Sequence, residues 1–194
     1  MNKQYKKNIA IFASGTGTNT ANIIQYFSAK QTAGIALIVC NNENAGVLKI
    51  AEANNIPSLI IQKEKFFKAD AYIAELKNAA IDFIVLAGFL WRIPLQLINE
   101  YQNKIINIHP ALLPKFGGKG MYGNFVHEAV LSAKEKQSGI TIHFVDELYD
   151  NGKTVFQTTC PVYENDTAET LSKRIHELEY KYFPKAIEEL IEKI

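Results

Sequence analysis

The chain has 194 residues, of which 47% are hydrophobic and 21% charged, and its formal net charge is +1. This length suits one domain with a sizeable core, and the near-neutral charge gives no electrostatic footprint for nucleic acid or an anionic membrane. Cys40 and Cys160 lack CxxC or Cys/His spacing, so we expect neither a disulfide scaffold nor a zinc site. Two isolated cysteines fit a protein of the reducing cytoplasm. The longest apolar run, "FIVLAGFLW", has nine residues, too few to span a bilayer.

The first hundred residues alternate short apolar runs with segments of helical period. We predict strands at 8–14, 34–41, 58–62 and 82–88, and helices at 18–29, 45–55 and 64–80. Uncharged strands between amphipathic helices are typical of a parallel sheet covered on both faces. The predicted fold class is therefore α/β, a single-domain doubly wound and mostly parallel sheet with a Rossmann-like N-terminal half.

The second half of the chain is predicted to make the sheet mixed and to end in a long helix. A strand ends at His109, a glycine-dense loop follows at 117–123, and a helix is expected at about 124–135. "GITIHFVDE" and "TVFQTTCPV" flank "LYDNGK", which predicts a hairpin turning at Asp-Asn-Gly. The last helix should begin with a capping box of Asp166 and Glu169 and be broken or kinked at Pro184. Leu171, Ile175, Leu178 and Tyr182 share its apolar face.

The segment "ASGTGTN" joins the first strand to the first helix. Its small residues let backbone N–H groups of Gly17, Thr18 and Asn19 approach an anion at a helix N-terminus. The dinucleotide-binding fingerprint is incomplete, because Thr20 occupies the position of its third glycine. Glu43 is only a loose match to the acidic residue that the fingerprint requires near the end of the second strand. A monophosphate site therefore fits better than NAD or ATP. The alternative is a tight strand-to-helix turn with Thr18 as N-cap.

The strand "IINIHP" carries two polar side chains. Strand side chains alternate, so Asn107 and His109 point to the same face, and Pro110 ends the strand there. Ligands of open α/β sheets bind outside this carboxyl edge. An amide can donate to a developing oxyanion and an imidazole can act as general acid or base. The alternative is that both side chains cap backbone groups at the strand end.

Other polar residues are ambiguous by themselves. Asp150 lies in "YDNGK", and an aspartate in such a hairpin turn is more often structural than catalytic. His143 is interpreted as a satisfied sheet histidine, and His127 and His176 as surface or packing residues of helices. The sequence has no Gly-x-Ser-x-Gly elbow and no His-Glu-x-x-His, so serine-type covalent catalysis and zinc hydrolysis have no support.

Taken together, these segments resemble the folate-dependent formyltransferases, most closely the family that formylates phosphoribosylglycinamide in purine synthesis. The resemblance covers nearly the whole chain. The pattern Asn-x-His-Pro-x-Leu-Leu-Pro, followed about 40 residues later by Asp-x-Gly, is its most specific part. The segments that carry it are "SGTGTN", "LAGFLWRIP", "NIHPALLPKF", "GITIHFVDELYDNG" and "ELEYKYFP".

The resemblance implies 10-formyltetrahydrofolate as cosubstrate, no metal, and three groups of site residues. The implied catalytic trio is Asn107, His109 and Asp150; the ribonucleotide contacts are Gly17, Thr18, Asn19 and Glu179; and the folate contacts are Trp91, Arg92, Ile93, Pro94 and Asn107. The substrate amine would attack the formyl carbon, and a tetrahedral intermediate would form. Asn107 and protonated His109 would donate to its oxyanion, and Asp150 would move protons through a water.

The same resemblance implies one formyltransferase domain over residues 1–194. Residues 1–100 would be its phosphate-binding half and residues 101–194 its catalytic and folate-binding half. Its partners would be small-molecule substrates, with no nucleic acid and no membrane, and it would be a monomer or weak homodimer. The family pattern differs at "GFLWR", which is one residue longer, and at Lys153, which replaces a proline; Lys68 is a weak match to an arginine near the folate tail.

Three other functions would account for part of the sequence pattern. Formyltetrahydrofolate deformylase, in which water replaces the amine, is the main alternative, although it usually carries an extra N-terminal domain. A methionyl-tRNA formyltransferase would need an RNA-binding domain and a basic surface. A non-catalytic nucleotide-binding module would leave Asn107, His109 and Asp150 without a role.

Overall fold

A seven-stranded sheet organises the chain in this computed structural model, which describes residues 7–68 and 70–193. The strands are β1 (Asn8–Ala13), β2 (Gly34–Cys40), β3 (Ser58–Ile60), β4 (Phe83–Leu86), β5 (Ile105–His109), β6 (Gln137–Phe144) and β7 (Thr154–Pro161). The helices are α1 (Thr18–Lys30), α2 (Gly46–Ala53), α3 (Lys63–Lys68), α4 (Ile73–Asn78), α5 (Leu95–Glu100), α6 (Asn124–Ser132) and α7 (Ala168–Ile191). Among the described helices, none is long and apolar enough to cross a membrane.

The strand order is β3-β2-β1-β4-β5-β6-β7. The first five strands in this order pair in parallel, and β6 and β7 add antiparallel pairs at one edge. The predicted fold class, a doubly wound and mostly parallel sheet with a mixed C-terminal part, is confirmed. Because the chain leaves β1 toward β2 on one side and returns to β4 on the other, a crevice opens at the carboxyl ends of β1 and β4.

The sheet separates two hydrophobic cores, as the alternation along β1 requires. Ile9 and Ile11 belong to the core on the side of α1 and α7, whereas Ala10 and Phe12 belong to the core on the side of α3 to α5. Every residue of β1 after Asn8 is buried. Burial on both faces explains why this strand is apolar throughout and not alternately polar.

The predicted helix over 64–80 is wrong as one element, because α3 and α4 are separate. Ala71 and Tyr72 have positive φ angles of 52° and 61° between them, and Ala69 lies outside the described residues. The Asp70 side chain accepts a hydrogen bond from the Tyr72 N–H at 3.2 Å, which competes with helical bonding. The Tyr72 hydroxyl then accepts from the Gln62 N–H at 2.8 Å and fixes the corner.

The start of α7 also differs from the prediction. Its N-cap is Thr167, and the capping box is formed with Thr170, not by Asp166 with Glu169. Asp166 instead forms a two-pronged ion pair with Arg174, with bonds of 2.8 and 3.0 Å. The Asp166 carboxylate also accepts a hydrogen bond from the Thr170 hydroxyl at 2.8 Å, so it supports the cap from outside and does not act as the N-cap itself.

Pro184 does not end the last helix, which was expected to break or kink there. The helix α7 is one element of 24 residues with Pro184 inside it. Phe183, Pro184 and Ile187 are all buried against the core. Their packing offsets the backbone hydrogen bond that a proline inside a helix removes.

Strands β6 and β7 pair as an antiparallel hairpin, but the turn is longer than the predicted Asp-Asn-Gly turn. The connection covers residues 145–153, and the Asp146 carboxylate accepts bonds from the Leu148 N–H and from the Asn151 amide within it. Gly152 is required because a Cβ there would collide with the carbonyl oxygen of Phe144. Asp150 itself has a φ of 53°, a conformation that aspartate tolerates better than most residues.

Candidate active site

One cavity of about 730 Å³ lies at the crevice where β1 and β4 end. It is lined by residues that follow β1, β4 and β5, by the glycine-dense loop, by the β6–β7 connection and by α7. Every predicted site residue except Pro94 lines this cavity. Pro94 is buried at the N-cap position of α5, where it starts a helix and does not face the cavity. The volume lies within the usual range for small-molecule sites.

The carboxylate of Asp150 is the centre of the polar contacts in this cavity. Its Oδ2 atom accepts a hydrogen bond from the Gly118 N–H at 2.9 Å and lies 3.4 Å from Nδ1 of His109. Its Oδ1 atom lies 3.3 Å from Nδ2 of Asn107. The predicted trio is therefore brought together, although Asn107 and His109 lie on β5 and Asp150 lies in the connection between β6 and β7.

The pKa of Asp150 is held well below the usual value of a carboxyl group. Burial by itself raises the pKa of this carboxyl, but the hydrogen bond and charge of His109, the nearby ring of His143 and the Gly118 N–H together lower it further than burial raises it. The side chain is only 10% exposed. The site thus holds a buried anion at neutral pH, which can stabilise a cation beside it.

The ring of His109 lies between two acceptors. Its Nε2 atom is 2.8 Å from the carbonyl oxygen of Phe116, and its Nδ1 atom faces Asp150. Because both partners are acceptors, the doubly protonated ring can donate to each of them. The expected alternative of strand-end capping is met in part, since His109 binds a backbone carbonyl as well as the aspartate.

The amide of Asn107 is oriented by His143, a residue that sequence reasoning placed outside the site. The two residues are directly opposite in the β5–β6 register, and their Nδ2 and Nε2 atoms are 3.1 Å apart. Nδ1 of His143 is 2.8 Å from the Phe144 carbonyl and donates to it, which leaves Nε2 to accept from the Asn107 amide. His143 is a satisfied sheet histidine, as expected, and it also lines the cavity.

The loop after β1 presents backbone N–H groups to the cavity. Gly17 is the N-cap of α1 with a φ of 81°, so Thr18 begins the helix and the alternative of Thr18 as N-cap is wrong. A Cβ at Gly17 would come within 2.8 Å of the Val47 side chain, so only glycine fits. The first turn of α1 carries no acidic residue, which leaves the positive end of the helix dipole available to an anion.

The side chain of Asn19 links this loop to the C-terminal helix. Its Nδ2 atom donates to Oε2 of Glu179 at 2.8 Å, and Nδ1 of His176 bonds the same oxygen at 2.7 Å. Glu179 is buried, with 4% of its surface exposed. The hydrogen bond to Glu179 raises the pKa of His176 above its ordinary value, so this end of the cavity contains an imidazolium–carboxylate pair. The spacing of three residues on one helix face is the sequence signal for this pair.

An aromatic wall covers the side of the cavity that follows β4. The rings of Phe89 and Trp91 contact each other and Phe66, with ring centroids 5.8 to 6.3 Å apart. Ile93 is buried beside them, whereas Arg92 is exposed at the cavity surface. Lys68 does not line the cavity and instead pairs with Glu64 at 3.1 Å. Within residues 7–68 and 70–193, no three His, Cys, Asp or Glu side chains are grouped as ligands for a metal ion.

Comparison with known proteins identifies the family. The model of the formyl transferase family matches residues 7–187. The phosphoribosylglycinamide formyltransferase of Bacillus subtilis is 37% identical over 190 residues, which is 95% of each chain. The chloroplastic phosphoribosylglycinamide formyltransferase of Arabidopsis thaliana is 40% identical over 94% of this chain, and the chain spans 64% of that relative's length.

Structural similarity agrees with this assignment. A crystal structure of phosphoribosylglycinamide formyltransferase from Bacillus halodurans superposes with a TM-score of 0.86 and 36% identity, covering 95% of both chains. The resemblance predicted from the sequence motifs is confirmed. The chain belongs to the formyl transferase family.

Proposed function

We propose that this protein transfers the formyl group of 10-formyltetrahydrofolate to the amine of 5'-phosphoribosylglycinamide. The observation that carries the proposal is one cavity that contains both an anion-binding loop and the Asn107, His109 and Asp150 cluster. The loop suits a phosphorylated acceptor, and the cluster suits acyl transfer. The names of the relatives from Bacillus subtilis and Arabidopsis thaliana support phosphoribosylglycinamide as the acceptor of a formyl group.

The acceptor would bind along the side of the cavity formed by α1 and α7. Its phosphate would accept hydrogen bonds from the backbone N–H groups of Gly17 and Thr18 and from the side chain of Asn19. The buried carboxylate of Glu179 would accept hydrogen bonds from ribose hydroxyl groups. The bond between Asn19 and Glu179 holds both groups in position before the ligand arrives, which lowers the entropy cost of binding.

The formylfolate would bind against the aromatic wall. A Cβ built on Gly88 would meet nothing within 4 Å, so the backbone beside Phe89 faces open space. Open space next to Phe89, Trp91 and Ile93 suits a flat heteroaromatic ring, which gains from apolar contact on its faces. Bound there, the folate supplies an acyl carbon that an amine can attack.

The chemistry of the transfer then follows from the central cluster. As the amine nitrogen bonds to the formyl carbon, negative charge moves to the formyl oxygen, and the Asn107 amide can donate to it. The His109 ring can donate as well when its Nε2 atom exchanges the Phe116 carbonyl for that oxygen, while Nδ1 stays against Asp150. One N–H of the Asn107 amide is held by Nε2 of His143, and the other makes only a long contact of 3.3 Å with Asp150, which it can exchange for the formyl oxygen. Asp150 would take the amine proton through a water and return it to the folate nitrogen as the carbon–nitrogen bond breaks.

The deformylase reaction differs from the proposed transfer only in its nucleophile, which is water and not the amine of the ribonucleotide. Both reactions consume formylfolate, which absorbance can follow, but only the transfer requires the ribonucleotide. Under the proposal, formylfolate is consumed only when the ribonucleotide is present. Consumption at the same rate without the ribonucleotide, with release of formate, would overturn it.

The remaining features of the proposal concern the whole protein. We expect one formyltransferase domain over the chain, since β1 to β7 form a single sheet and the family match spans 7–187. We also expect a cytoplasmic protein, in line with its two free cysteines, Cys40 and Cys160. A monomer or weak homodimer that binds neither nucleic acid nor membranes stays a prediction.

A further inference from the structure

His127 on α6 is a buried polar side chain without a role in the chemistry described above. It is 2% exposed, and its Nδ1 atom has no hydrogen-bond partner within residues 7–68 and 70–193. Buried polar atoms of proteins are nearly always paired, so an unpaired one needs an explanation. The ring of His127 also lines the main cavity. Because the Nδ1 atom is fully buried, a group that binds in that cavity can supply the missing partner when the ring turns this atom toward it.

The ring of His127 interacts electrostatically with charged groups at both ends of the cavity. Burial is the main cause that lowers the pKa of its ring, and the charge of His176 lowers it further, against an opposing effect of Glu179. The charge of His109 acts in the same direction as that of His176. His127 is thus within electrostatic range of both the central cluster and the imidazolium–carboxylate pair on α7. A neutral ring in this place offers one N–H donor and one acceptor nitrogen.

We propose that His127 binds the acceptor substrate directly, through a hydrogen bond to the neutral segment that joins the phosphate to the amine. This inference rests on the proposed function. His127 lines the same cavity as Asn19, Glu179 and His109. The groups in the middle of a ligand that reaches from Asn19 and Glu179 to His109 are ribose hydroxyls and an amide. These groups are uncharged donors and acceptors, so a neutral imidazole matches them.

The alternative is a purely structural role, in which His127 only fills space between α6 and α7. Val130 provides the comparison, because it lies one turn later on the same helix, is 1% exposed and does not line the main cavity. A packing role predicts that His127 and Val130 substitutions behave alike. A binding role predicts that only His127 substitutions change the affinity for the ribonucleotide.

The test compares His127→Phe, His127→Gln and Val130→Ala by calorimetric titration with 5'-phosphoribosylglycinamide and by steady-state kinetics. Phenylalanine keeps the ring shape without a hydrogen bond, so the Kd and KM for the ribonucleotide should rise about 10-fold, the effect of one lost hydrogen bond. The KM for formylfolate should stay near the wild-type value. Glutamine, which can donate and accept, should restore most of the affinity. Val130→Ala should lower Tm and leave both KM values unchanged.

Two results would overturn the inference. One is a wild-type Kd for the ribonucleotide in His127→Phe; the other is an equal loss in His127→Phe, His127→Gln and Val130→Ala, which would mean a packing role. Calorimetry needs no turnover, so this test is independent of formyl transfer. A wild-type protein that binds the ribonucleotide but never formylates it would refute the proposed function, while the comparison of His127 variants would still decide the inference.

Discussion

The Nδ2 atom of Asn107 lies 3.3 Å from Oδ1 of Asp150, although 43 residues separate the two in the chain. The contact joins the end of β5 to the connection between β6 and β7. It holds an amide that can donate to an oxyanion beside a buried carboxylate that can take a proton. Because Asp150 also accepts from the Gly118 N–H, the glycine-dense loop is tied to the same point.

Removal of either oxyanion donor should lower turnover strongly. Asn107→Ala and His109→Ala should each reduce kcat on the order of 100- to 1000-fold, the scale seen when one such donor is lost. Steady-state kinetics with both substrates measures this. Asn54→Ala is a matched control, since the Asn54 side chain bonds only the Ile50 carbonyl on an exposed part of α2. Near-normal kcat in both site variants would contradict their assigned roles.

Loss of the Asp150 charge should be almost as costly. Asp150→Asn keeps the shape of the side chain but cannot take up a proton, so kcat should fall at least about 100-fold. Asp82→Asn is the control, because Asp82 accepts a bond from the Asn8 N–H far from the cavity. If Asp150→Asn retained more than about half of the wild-type kcat, proton transfer by this residue would be excluded.

The His176–Glu179 pair should make stability depend on pH. The pKa of His176 is raised in the folded protein, so its stabilising effect is complete below its unfolded pKa of about 6.5 and is lost as pH rises through the folded pKa. The Tm difference between wild type and His176→Gln should therefore be larger at pH 6 than at pH 9. The contribution of the pair to the free energy of unfolding should not exceed about 1 kcal/mol, because solvent screens the His176 side chain, which is 43% exposed.

A control for this pH effect is the exposed pair of Glu169 and Lys173, 2.8 Å apart on the same helix. Carboxyl and lysine ammonium groups ordinarily change charge outside pH 6 to 9, so Lys173→Gln should change Tm equally at both values. If the His176→Gln difference were the same at pH 6 and pH 9, the charged pair would not stabilise the fold.

Gly152 should be intolerant of a side chain. A Cβ at this position would collide with the Phe144 carbonyl oxygen at the end of β6, so Gly152→Ala should lower the free energy of unfolding by about 1–3 kcal/mol. Gly15→Ala is the matched change, because a Cβ there meets nothing within 4 Å. Chemical denaturation of both variants measures the difference. Equal stabilities would mean that the β6–β7 connection adapts to the added methyl group.

Much of the fold could be predicted because the parallel strands are buried on both faces and therefore apolar throughout. The break between α3 and α4 could not, since it depends on Tyr72 reaching the Gln62 N–H across a corner. Nor could the cap of α7, where Asp166 fits a capping box locally but pairs with Arg174 in the fold. In both cases a side-chain contact between residues eight to ten positions apart overrides the preference of the local sequence.

The site was predictable where one segment carries the pattern, as in Asn107 and His109. His143 was not assigned to it because its role appears only when β6 pairs with β5 and sets its ring against the Asn107 amide. His127 was interpreted as a surface or packing residue because helix position alone does not reveal which helical histidine faces a cavity. The His176–Glu179 pair had a usable signal in its helical spacing.

The most direct test of the account follows the formyl carbon itself. Formylfolate labelled at that carbon is incubated with the protein and 5'-phosphoribosylglycinamide, and the products are separated and analysed by mass spectrometry. The account predicts that the label appears on the ribonucleotide, at a rate that falls with His109→Ala. Label that appears only in free formate, at a rate independent of the ribonucleotide, would contradict it.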